Sequence, residues 1–464
     1  MDTIHKYPCK EYAPLWKKLA AHVGGKEGEE LALSMLELYS VYRDTLPEWF
    51  ASLYDPGVGG FYFCRSARDN ERLDYKGILF GLLPDADSTW QALATMASAG
   101  MFRDYGNKAS EAIPTEMQGE IIRFIKSLQD PNGSIYHPQF PRERNEEKIT
   151  RRTRDAARGM AVLKYFGASP TYDSPTGERG DGVRFDGVRV ALPSPAPKLD
   201  VGKAASDTAA AIPECFKGEE CFRKHLSGLT LRNNSYSTGS FFITQQSIMQ
   251  AIDKRLRADG ASYTLYGILT DWLSENQLEN GVWDDEVGYA AINGVMKICR
   301  LYSAAGVIMP RVERTVRAAI TAICSDEPTT SIVEVFNPWV AVSVILSDLR
   351  GAGDDGLKIA KEVTRELWLI APEAIRKTKK KLLRFLRSDG AFSYPADRSG
   401  GYNMGMPLGI AGLDEGDMNA THLALGIPSR IFSALGLAEF TVPIFCKEDL
   451  KRFLGTVDEK RKNI

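Results

Sequence analysis

Trp272-Leu273-Ser274-Glu275-Asn276-Gln277-Leu278-Glu279-Asn280-Gly281-Val282-Trp283 is the stretch whose reading decides the fold. It closes an apolar helical segment, breaks with polar residues, supplies a glycine for a tight turn and sets a large aromatic two residues later. The same order occurs three more times. Trp49-Phe50 leads to Gly60-Phe61, Phe124-Ile125 to Gln129, Gly133 and Tyr136, and Phe385-Leu386 to Gly390 and Phe392. After each copy come a loop and a second helical stretch rich in Ala and Leu: Thr89 to Ala99, Arg154 to Tyr165, Ala290 to Ala304, Ala420 to Leu435. Gly100, Gly167, Gly306 and Gly436 stand where helix C-caps belong. The repeating unit is helix, glycine-aromatic turn, helix, and the expected class is all-α.

Strand signals are thin. Period-2 alternation is confined to Val183 to Leu192, inside a Pro-, Gly- and Asp-rich stretch at 168–200 that reads as a long irregular insertion with room for one hairpin. Helical hairpins stack into an open solenoid or close into a ring. A solenoid keeps a fixed period, whereas these turns are unequally spaced. Unequal loops suit a closed ring, where they gather on one face and build a site. One domain spanning 1–464 is therefore expected.

The Trp272 to Trp283 segment resembles the QW repeat of terpenoid cyclases position for position, and the other three copies resemble it in degraded form. Tyr54 stands where the glutamine would, Tyr136 is displaced by one residue, and the fourth copy has no glutamine. The resemblance runs from about residue 30 to 440. It implies an α/α toroid like those of terpenoid cyclases, protein prenyltransferases and several glycan-degrading families, with the glutamine bonded to a neighbouring helix end and the tryptophan packed over the turn. Such scaffolds host unrelated chemistries.

Composition narrows those chemistries. Lys and Arg number 58 against 60 Asp and Glu, with no basic stripe, which argues against a nucleic-acid partner. No apolar run approaches the length that spans a bilayer. The start, Met1 to Lys6, lacks a secretory pattern, and seven scattered cysteines show no Cys-x-x-Cys pair, so a cytoplasmic protein with free thiols is expected. Cys215, Cys221 and His225 are a poor zinc set, and neither metal nor cofactor is expected. Phosphate-loop, dinucleotide and His-Glu-x-x-His motifs are lacking.

Candidate chemistry sits where the second helix of each unit begins. Asp85-Ala86-Asp87-Ser88-Thr89 and Asp417-Met418-Asn419-Ala420-Thr421 share an Asp-x-Asp/Asn-x-Thr order. Helix capping explains one acid in each, and the second carboxylate of the first segment points elsewhere. Asp85 to Ser88 also resembles the Asp-x-Asp-Asp acid of class II terpenoid cyclases, although Ser88 fills the fourth place. The third turn adds Asp284, Asp285 and Glu286, then Tyr289 and Asn293. The second adds Tyr136 and His137, then Arg151, Arg152 and Arg154, which either pair with Glu146 and Glu147 or hold a ligand anion. Asn233 to Ser240 reads as a polar loop, and Arg376 to Lys381 as a solvated helix face.

A polar funnel with acids, arginines and aromatics suits a sugar better than a hydrocarbon. The expected function is a glycoside hydrolase acting on short oligosaccharides, acidic ones among them. Its candidate catalytic residues are Asp87 and Asp285, with Asp85, Glu286 and Asp417 as further candidates. The expected substrate contacts are Tyr136, His137, Arg154, Trp283, Tyr289, Asn293 and His422. The alternatives are a class II terpenoid cyclase using Asp85 to Ser88, a toroidal polysaccharide lyase, and a non-catalytic binding scaffold.

Overall fold

A computed structural model of the chain describes residues 7–69, 73–75, 78–140, 149–192 and 212–463. These residues are mostly helical, with three two-stranded hairpins as the named sheets among them. Twelve helices matter for the site, in six consecutive pairs. They are α1 (Leu46–Leu53) and α2 (Ala86–Ser98), α3 (Thr115–Ser127) and α4 (Ile149–Tyr165), α5 (Glu219–Ser227) and α6 (Ser235–Thr244), α7 (Leu265–Glu275) and α8 (Tyr289–Ala305), α9 (Val312–Cys324) and α10 (Val333–Arg350), and α11 (Gly353–Leu382) and α12 (Met418–Ala434).

The two members of a pair differ in kind. In α9 one face is buried, through Val316, Ala319, Ile320 and Ile323, and the opposite face carries Glu313, Arg314 and Arg317. In α8 burial extends almost all round, from Ala291, Ile292 and Val295 to Ile298, Cys299, Leu301 and Tyr302. A helix buried on most sides needs neighbours on most sides. The even-numbered helices supply them: α2 packs on α4, α4 on α6, α6 on α8, α8 on α10, α10 on α12, and α12 returns to α2. Odd-numbered α3, α7 and α9 lie against α4, α8 and α10. The first and last described segments meet as well, for the Tyr7 hydroxyl donates to Asp449 Oδ2 at 2.7 Å and the Tyr12 hydroxyl to the Phe445 carbonyl at 2.7 Å.

Three of the four turns read from the sequence share one hydrogen-bond pattern. Gly133, Gly281 and Gly390 donate to the carbonyls of Asp130, Leu278 and Arg387, whose own amides donate to Ser134, Val282 and Ala391. Each glycine has φ between 80° and 87°, the left-handed region that favours a residue without Cβ. A Cβ at Gly133 would lie 1.9 Å from the Asp173 carbonyl oxygen, so close approach demands glycine too. In the first turn this role belongs to Gly59 (φ 89°), not to Gly60.

Two residues on from the glycine, Phe61, Trp283 and Phe392 are fully buried. In the second turn Ile135 takes that place, and the expected Tyr136 falls one residue beyond it. Trp283 donates its indole N–H to the Leu273 carbonyl at 2.8 Å, while Gln277 donates to Gly281 O at 2.8 Å and to Thr315 Oγ1 at 3.2 Å, near the start of α9. Gln129 does the same at Gly133 O and at Tyr172 O, both at 3.1 Å.

The insertion docks on the second turn through Tyr172 and through the ion pair of Lys126 with Asp181. Val183 bridges Arg189 across a tight turn, and 193–200 lie outside the described residues. Asn233 to Ser240 is not a loop throughout, because α6 begins at Ser235. Among the described residues no helix is long and apolar enough to cross a membrane.

Candidate functional site

The first turns of α2 and α12 are built alike. Asp85 and Asp417 are N-caps, accepting from the backbone N–H of Ser88 (2.9 Å) and Ala420 (2.7 Å). Thr89 and Thr421 accept from the amides of Phe61 and Phe392, which ties each turn to the helix it feeds. Asp85 also accepts from the Ser88 hydroxyl (2.7 Å) and from Arg151 (2.8 Å), and Asp417 from the Tyr394 amide (2.9 Å). Both carboxylates are consumed by the scaffold. Burial raises both, Asp85 against the pull of Arg151 and Asp417 to about 7 against its backbone donors.

Asp87 is free of capping, two residues into the same turn as Asp85. It is fully buried and accepts from Arg154 Nε at 2.8 Å and from Asn403 Nδ2 at 2.9 Å, and Arg158 Nε stands 3.5 Å from its other oxygen. Burial pushes its carboxyl up, but Arg154, Arg151 and Arg158 outweigh that and hold it at about 2. Arg154 also reaches Asn419, at 3.5 Å, and Asn419 accepts from Gln91 at 2.8 Å. The side-chain oxygen of Gln91, Oε1, is buried with no hydrogen-bond partner among the described residues. Arg151 is fully buried between Asp85 and Asp155, so it, like Arg154, points inward.

One turn further along α2 and α12, Arg158 lies flat over Trp90, 3.4 Å from the ring centroid, and Trp90 meets His422 edge-on at 5.4 Å. Burial, with Arg158 and Arg154 close by, drops His422 to about 3, so the imidazole is neutral. Its tautomer follows from geometry. The Thr95 hydroxyl donates to the Gln91 carbonyl at 2.6 Å, so at the 2.7 Å contact His422 Nδ1 must be the donor. His422 Nε2 therefore keeps its lone pair.

Most of the remaining sequence candidates stand apart from these residues. Asp285 is exposed, in a loop where it pairs with Arg232 and accepts from Asn233 at 2.7 Å, and that pairing lowers its pKa. Glu286 is exposed beside it. Asp87 and Asp285 are thus a buried and a surface carboxylate, not a matched pair. Trp283 is core rather than a sugar platform. Asn293 accepts from Asn337 at 2.8 Å between α8 and α10, and the Tyr289 hydroxyl donates to the Glu327 carbonyl at 3.3 Å. Tyr136 accepts from Asn132 (3.1 Å), and buried His137 packs on Phe140 with burial, then Arg151, lowering its pKa. Glu146 and Glu147 lie outside the described residues.

Sequence reading missed Arg158, Trp90 and Asn403. Arg158 carried a signal, standing four residues after Arg154 on the same helix face. Asn403 carried none, because a hairpin far along the chain delivers it to Asp87. Cys215, Cys221 and His225 form no metal set, and the His225 ring packs on Phe241 at 5.5 Å. No family model and no curated protein matches the chain.

Proposed function

We propose that the chain is an α/α toroid whose interior binds an acidic oligosaccharide and cleaves it, most simply as a glycoside hydrolase working in the cytoplasm. Ring closure is supported by the cyclic packing of the even-numbered helices. The observation that carries the functional reading is the Asp87–Arg154–Asn403 cluster beside Arg158 on Trp90. Arginines with fork-like donors recognise carboxylates and sulfates, amides match hydroxyls, and an aromatic face suits the apolar side of a sugar ring. Asp87, ionised at any physiological pH, is a buried carboxylate suited to orienting an attacking water and to balancing the positive charge that develops in the transition state. An ionised carboxylate cannot protonate an alkene, which weighs against the terpenoid-cyclase reading.

Elimination is the second reading, favoured by His422: a neutral imidazole with its Nε2 lone pair available, close to two arginines able to neutralise a uronate. Product analysis on matched acidic and neutral oligosaccharides separates the readings. Hydrolysis yields two saturated ends, whereas elimination leaves an ultraviolet-absorbing double bond on one product. Cleavage of neither class, with binding of the acidic one, would favour a scaffold. No binding of either would overturn the proposal.

A further inference from the structure

Outside the Asp87 cluster, helices α8 and α12 carry three further cations. Lys297 and Arg300 lie on α8 and Arg430 on α12, the two helices that flank α10. None of the three makes a hydrogen bond or an ion pair among the described residues. Lys297 instead sits 5.5 Å from the Tyr236 ring of α6, and its stem presses on Gly239. Eleven residues separate Tyr289, at the start of α8, from Arg300, and eleven separate Asn419 from Arg430. At 1.5 Å per residue these arginines start ~16 Å further along the helices than the Asp87 tier.

Cations near helix C-termini ordinarily serve the last carbonyls. Here those carbonyls are already served. Arg350 donates to the Ser433 and Ala434 carbonyls at 3.2 and 3.1 Å, and Trp368 to Leu435 at 3.0 Å. Helix α8 ends on Gly306, whose amide bonds to Ser303 O at 3.1 Å. Nor are the three cations isolated from one another. Burial, then Arg154, Arg300 and Arg158, brings Lys297 down to about 7, and Arg430 is lowered by burial and by Arg300. Arg300 and Arg430 are reached by solvent, so an incoming anion can reach them too.

We propose that Lys297, Arg300 and Arg430 form a second anion subsite between the same helices, and that the ligand is an oligosaccharide bearing at least two anionic groups. The inference rests on the acidic-oligosaccharide reading above and adds a charge count to it. Asp87 answers Arg154 and Arg158, and no described carboxylate answers Lys297, Arg300 or Arg430. One ligand anion beside Arg154 and Arg158 and a second beside Arg300 and Arg430 would each gain charge-assisted bonds.

The test is calorimetric titration of the full chain with galacturonate, trigalacturonate and inorganic pyrophosphate, for the parent and for Arg300→Gln/Arg430→Gln. Trigalacturonate affinity should fall by roughly tenfold or more in the double variant, as expected for lost charge-assisted bonds, with galacturonate affinity changed less than about twofold. The ratio of the two affinities guards against a partly unfolded variant, which lowers both together. An unchanged ratio overturns the subsite. If the parent binds neither sugar acid but binds pyrophosphate in a way the double variant abolishes, the anion subsite stands and the glycan reading falls. If the parent binds none of the three probes, both fall.

Discussion

Replacing Asp87 with Asn removes the one carboxylate paired with Arg154 and Arg158 among the described residues while keeping the side chain's shape. Two linked estimates bear on the cost. Holding a carboxyl at about 2 rather than 3.8 corresponds to about 2 kcal/mol of stability at 1.36 kcal/mol per unit. Removing one partner of a buried ion pair costs ~3–5 kcal/mol. The arginine side chains are 19% and 30% exposed, so water relieves part of that penalty and the lower figure applies. A loss of about 2–3 kcal/mol at pH 7 is expected, read from urea midpoints by circular dichroism. The sign with pH is fixed by the depressed value. The contribution is fully present above the unfolded carboxylate's pKa near 4 and is lost as pH falls towards 2. Parent and variant should therefore differ at pH 7, draw together as pH falls below 4 and converge near pH 2. Equal stability at pH 7, or a gap that persists unchanged at pH 2.5, would refute the reasoning. On a true substrate the same variant should lose ~10²–10³-fold in turnover, as expected for removal of one preorganised charge at the reacting centre.

Gly133→Ala should destabilise by about 3 kcal/mol or more, because left-handed backbone and contact with the Asp173 carbonyl both oppose a Cβ. Gly187→Ala, at similar φ with open space around it, should cost only about 1–2 kcal/mol, and thermal melts compare the two. Trp283→Phe strands the Leu273 carbonyl and leaves a void, for about 1–3 kcal/mol by urea denaturation. Asp285→Asn, on an exposed loop, should leave the melting midpoint and the turnover number unchanged, and a large drop in turnover would restore Asp285 to the chemistry.

What the sequence made legible was local. A glycine forced to positive φ, with an aromatic two residues on, marks a turn wherever it occurs, and Gln277 and Trp283 bond as backbone-anchoring residues do. The α5/α6 and α9/α10 pairs lack that turn and so escaped notice. Ile135 replaces the aromatic in the second turn because burial asks only for an apolar side chain of adequate size. At the site, Arg154 and Asp87 were visible as charges near helix starts. Their pairing was not, since it joins α2 to α4 across a long stretch of chain. Asp285 misled because three consecutive acids beside a well-formed turn look the same in sequence whether buried or solvated.

The most direct test of the central claim is titration of parent and Arg154→Ala with an acidic oligosaccharide and a neutral one of equal length, at low and high salt. The account predicts that only the acidic ligand binds, that salt weakens it, and that Arg154→Ala costs roughly tenfold or more in affinity, equivalent to ~1.5–3 kcal/mol for a charge-assisted bond. Equal affinity for both ligands, or an acidic ligand indifferent to Arg154, would contradict it.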